Sequence, residues 1–216
     1  MLALHQAAKD GDLAAVEALI ATKKRGLNQA YRRRTALYHA AARGHTEIVV
    51  ALLEAGASPN AGPFSPLRAA IDAGDHESIA ALIEYGADLD EPESTCSPVE
   101  SAVRSLDSTS VSMLLDAGSS VDGNGMGEYP IVAAVLCGNP DCVAAIMLHD
   151  PDLGSEVLTH LAGEIGDLGL DLGEAEGLLG ALLSGDPAAV DAALDGGEEA
   201  TAEIMAALAE AVAAEE

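Results

Sequence analysis

Histidines, cysteines and clustered acids are where chemistry could begin in this chain of 216 residues. The six histidines, His5, His39, His45, His76, His149 and His160, do not fall at metal-ligand spacing. Cys137 and Cys142 flank the short segment GNPD, and no second pair completes a zinc set. The run DLGLDLGEAEG, starting at Asp167, is acidic enough for calcium, but an EF-hand loop there needs Gly where Leu172 stands and Glu where Leu178 stands. Gly123, Gly125 and Gly127 do not form GxGxxG, and no GxSxG, Walker or kinase signature is present. The expectation is therefore no catalytic residue, no metal and no cofactor. What remains is charge: KKRGLNQAYRRR, residues 23–34, holds six of the ten Lys and Arg in a chain of net charge -26.

The charge is unevenly spread. Residues 1–45 carry eight Lys and Arg against three Asp and Glu, residues 46–216 carry two against 33, and none lies beyond Arg104. Such an acidic surface repels nucleic-acid phosphates and anionic lipid headgroups and steers basic proteins over a Debye length of about 10 Å. Neither nucleic acid nor membrane is expected as a partner. A second reading gives the acid only a solubility role, as in a salt-rich cytoplasm. Apolar runs such as IVVALL, residues 48–53, fall far short of the roughly 18 residues a span needs. The segment MLALHQAAKDGDL lacks the basic start of a secretory signal, and three cysteines, Cys96, Cys137 and Cys142, argue against a disulfide framework. Both features lead us to expect a cytoplasmic protein.

The elements that must position these residues repeat. TALYHAAARGHTEIVVALLEAGASPN, residues 35–60, and SPLRAAIDAGDHESIAALIEYGADLD, residues 65–90, align without a gap. SPVESAVRSLDSTSVSMLLDAGSSVD from Ser97 and YPIVAAVLCGNPDCVAAIMLHDPDL from Tyr129 keep the frame. Leu4, Leu37, Leu67, Val99 and Ile131 recur at spacings of 33, 30, 32 and 32 and open a short helix. Seven residues on stand Gly11, Gly44, Gly74, Leu106 and Gly138, where glycine supplies a left-handed helix stop; Leu106 predicts a different or a strained turn. Val16, Val49, Ile79, Val111 and Val143 then begin an i, i+3, i+4 apolar stripe, the buried face of a second helix. Gly185 and Val190 recover the frame in a degenerate sixth unit. Ile204, Leu208 and Val212 share one face of a capping helix.

At TALYHA, SPLRAA and SPVESA, on a period near 33 residues, the sequence resembles the ankyrin repeat family. Ala36, Arg68, Glu100 and Leu106 depart from its usual Pro, His, His and Gly. The resemblance implies an all-α solenoid of helix-turn-helix units with finger hairpins, five repeats over 1–153. An irregular insertion over 154–177 and a degenerate repeat with capping helix over 178–216 follow. It implies a non-enzymatic module that binds a protein on a concave side made of fingers and first helices, monomeric by itself. Mapped here, that surface takes in Tyr31, Arg32, Arg33, Arg34, Tyr38, Arg43, Phe64, Asp72, Arg104, Glu128 and Tyr129. Within it, the basic finger and the acidic C-terminal half would give the groove a charge gradient. The overall charge suggests a basic partner and, as an alternative function, an inhibitor or immunity protein covering a basic toxin or enzyme. An enzyme or metal-binding accessory built on 154–177 is the rival class.

Overall fold

A computed structural model describes residues 3–22, 26–90, 96–121, 129–137 and 139–149. The chain divides into two compact units, 1–120 and 121–216. In the first, helices run in pairs: α1 (Ala3–Asp10) with α2 (Leu13–Thr22), α3 (Ala36–Ala41) with α4 (Thr46–Glu54), α5 (Pro66–Ala73) with α6 (His76–Glu84), and α7 (Pro98–Arg104) with α8 (Ser108–Asp116). The first helices α1, α3, α5 and α7 pack side by side as one layer, and α2, α4, α6 and α8 as another. In the second unit α9 (Pro130–Leu136) packs on α10 (Pro140–His149). The degenerate repeat, the insertion and the capping helix expected over 154–216 lie outside the described residues.

Most helix starts are written in the sequence; α4, which follows His45, has no side-chain cap. Thr35, Ser65 and Ser97 precede first helices, and their hydroxyls accept from the amides of Tyr38, Arg68 and Glu100 at 3.1, 3.3 and 3.1 Å. Pro66 and Pro98 follow at positions where a missing N–H costs nothing. Asp12, Asp75, Asp107 and Asn139 cap second helices in the same way, through the amides of Ala15, Ser78, Ser110 and Cys142. The apolar frame is the core. Leu37, Leu67, Val99 and Ile131 are buried, as are Val16, Val49, Ile79, Val111 and Val143. Each such side chain contributes about 1.5–3 kcal/mol on leaving water, which helices of six to ten residues require because they are too short to persist alone.

The fourth repeat turns as the others do, under strain. Gly44 and Gly74 stop their helices at φ +65° and +67°, and Leu106 takes φ +58° at the equivalent place. Its amide donates to the Val103 carbonyl at 2.9 Å and that of Asp107 to Ala102 at 3.0 Å, matching the Gly74 and Asp75 bonds to Ile71 and Ala70. The two backbone bonds hold leucine in a conformation that its Cβ disfavours by roughly 1–2 kcal/mol. Gly138 lies outside the described residues.

Candidate protein-binding surface

The first finger is built by residues 31–34. Tyr31 and Arg34 form an antiparallel bridge, exchanging N–H to carbonyl bonds of 2.8 and 3.2 Å. Arg32 and Arg33, between them, stand at φ +51° and +69°. Two positive φ values in a two-residue loop make a type I′ turn, whose favoured sequence is Asn-Gly; two arginines there cost about 1–2 kcal/mol each. In the second finger Phe64 is exposed, and no bridge forms there among the described residues.

Beneath the finger lies a chain of rings. The centroid of Tyr31 is 6.3 Å from that of His5, His5 is 6.0 Å from His39, His39 is 5.9 Å from Tyr38, and Tyr38 is 5.9 Å from Phe64. His5, second in this chain, is wholly buried, and Phe64 at its far end opens to solvent. The guanidiniums rest on these rings: Arg32 lies 5.8 Å from the Tyr31 centroid, Arg33 5.6 Å from Phe64, and Arg34 5.2 and 5.3 Å from Tyr38 and Phe64. Each contact contributes about 0.5–1 kcal/mol at such exposure, an offset to the cost of the turn. Burial keeps the imidazoles of His5 and His39 below the ordinary histidine range. The positive neighbourhood of Arg34, Lys9 and Arg43 adds to this at His39.

Six of the expected contact residues, Tyr31, Arg32, Arg33, Arg34, Tyr38 and Phe64, therefore come together in one patch. Arg43 is exposed just past α3. Asp72 and Arg104 sit apart from the patch, on α5 and α7. Asp72 accepts from the Ser101 hydroxyl at 3.0 Å, and Arg104 pairs with the buried Glu100 at 2.7 Å. Tyr129 belongs to the second unit, where its carbonyl accepts from Ala133, and Glu128 lies outside the described residues.

The structure also sorts charge by layer. In the first unit every described Lys and Arg, Lys9, Arg32, Arg33, Arg34, Arg43, Arg68 and Arg104, stands on a finger or on a first helix and its end. The second helices carry none; they expose Glu17, Glu47, Glu54, Glu77, Glu84 and Asp116. The linear charge count missed this sorting because it averages over both helices of a repeat.

Polar contacts between repeats were also hidden. Asn28 accepts from the Ser58 amide at 2.8 Å, Asn60 from Asp88 at 2.8 Å, and Asp90 from Ser120 at 3.0 Å, so each of the first three repeats is tied to the next at the root of its finger. At the helix turns His45 Nε2 meets the Lys9 carbonyl at 3.3 Å, Thr46 donates to Asp75 at 2.8 Å, and His76 meets Asp107 at 2.8 Å. These bonds give structural roles to His45, Asp75, His76 and Asp107. Burial opposes ionisation of Asp75 and Asp107, but hydrogen bonds from Ser78 and Thr46, and from Ser110 and His76, prevail and hold both carboxyls below their usual range. Among the described residues no three His, Cys, Asp or Glu gather as a metal set, and no helix is long and apolar enough to cross a membrane.

Stacked helix pairs, capped by Thr or Ser and stopped by left-handed glycines, invite comparison with known repeat proteins. Residues 4–93 match the family described as ankyrin repeats, in three copies. Over that stretch the chain is similar to ankyrin repeats. Among solved structures, the ankyrin repeat domain of human ASB11 is similar at 25% identity and a TM-score of 0.61, over 76% of this chain and 83% of that one. Ankyrin repeats generally serve protein–protein interaction, and the similarity carries function to that level only.

Proposed function

We propose that the protein is a non-enzymatic module that binds a protein partner through its fingers and first-helix layer, with Tyr31, Arg32, Arg33, Arg34, Tyr38 and Phe64 as the anchor. The observation that carries this reading is the ring and guanidinium patch itself. Aromatic and arginine side chains dominate binding energy at interfaces, and here they are gathered at an exposed edge instead of filling the core, which Leu, Ile, Val and Ala supply. An inhibitor of a basic protein rests on the overall charge of -26. Its natural contact is the acidic second-helix layer, opposite in sign to this patch.

Photo-crosslinking in cells of the native host tests the assignment. With benzoylphenylalanine in place of Tyr38, a protein adduct is expected; in place of Tyr85, an exposed aromatic at the end of α6, none is. Adducts at position 85 alone would move the interface to the other layer and end the proposal.

A further inference from the structure

Resting on that reading, we infer that the fingertip and the rings beneath it form a docking site for a short acidic peptide segment of the partner. Arg32 and Arg33 are not residues a type I′ turn favours, at φ +51° and +69°, where Asn-Gly would close the same turn without strain. The turn would be firmer without them, so their presence calls for a use of the side chains. Stacking by the face leaves a guanidinium's edge donors directed outward in a planar fork that matches a carboxylate. Arg33 and Arg34 share Phe64 at 5.6 and 5.3 Å, which brings two guanidiniums to one exposed ring. Among the described residues no carboxylate pairs with Arg32, Arg33 or Arg34.

Charge complementarity selects the occupant. Residues 1–120 hold ten basic and 16 acidic residues, and the described cations all face the finger side. A ligand whose negative charge is confined to a few residues meets this side alone, within the Debye length of about 10 Å. A nucleic acid, with a charge about every 1.7 Å of duplex, extends its repulsion to the exposed Glu rows and to the acidic remainder of the chain.

The test uses the full chain and a fluorescein-labelled ten-residue peptide of alternating Glu and Leu, beside its Lys-Leu counterpart and a single-stranded oligonucleotide of ten nucleotides, by fluorescence polarisation. The Glu peptide should bind tightest and weaken as salt rises. Arg32→Asn with Arg33→Gly should weaken it about ten-fold while leaving Tm equal or higher, because the new turn is the favoured one. Arg32→Lys with Arg33→Lys, which keeps charge and loses the fork, should fall between. Tighter binding of the Lys peptide or the oligonucleotide, unchanged affinity in the Asn-Gly variant, or a lower Tm in it would each overturn the inference. If the Glu peptide fails while Tyr38 crosslinks persist, the acidic chemistry is wrong and the interaction module stands; loss of both removes both.

Discussion

Leu106 and the Arg32–Arg33 pair show strain at two kinds of place. Leu106 is more than half exposed and points no side chain into the core, yet it holds φ +58° where its equivalents are glycine. Leu106→Gly should raise stability by roughly 0.5–1 kcal/mol, a gain of a few degrees in Tm by differential scanning calorimetry. A fall would mean that the exposed leucine packs usefully. Leu106 was legible in advance because it broke a pattern of glycines seven residues past each helix start. The arginine pair was not, since nothing in RRRT announces a two-residue turn whose usual signal is Asn-Gly.

Helix pairs were the most legible level. Capping residues, turn glycines and the i, i+3, i+4 stripe are local, so the repeat frame placed α1 to α10. Ties between repeats were less so: Asn28, Asn60 and Asp90 recur, but only neighbours in space give them partners. The junction of α1 and α3 supplies a pH prediction. Burial of His5 and His39 favours their neutral forms, and around them stand Lys9, Arg34 and Arg43. With folded values below 6.5, the unfolded chain binds more protons, so this contribution is full above pH 6.5 and is lost as pH falls below it. Acidification also relieves repulsion among 36 carboxyl side chains, which works the other way. A difference measurement isolates the junction: between pH 7.5 and 5.5, Tm of the parent should drop relative to that of His39→Gln. Parallel curves would show that folding leaves the proton affinity of His39 unchanged.

Across the whole molecule, the net charge of -26 conceals a first unit whose described cations all lie with the fingers and first helices. Composition exposed the excess of acid, and the repeat frame assigned fingers and first helices. Only stacking of alternate helices shows that the cations share a side. Tyr129 and the second unit add their own pair of helices, α9 and α10, to the same frame.

That sorting makes proteolysis a reporter. Trypsin cuts after Lys and Arg, so in the first unit all its described sites, from Lys9 to Arg104, open on the side where a partner would sit. Saturating that side should slow cleavage at Arg34 and Arg43, read by mass spectrometry. Glutamyl endopeptidase, cutting after Glu17, Glu54 and Glu84 on the other layer, should proceed unhindered.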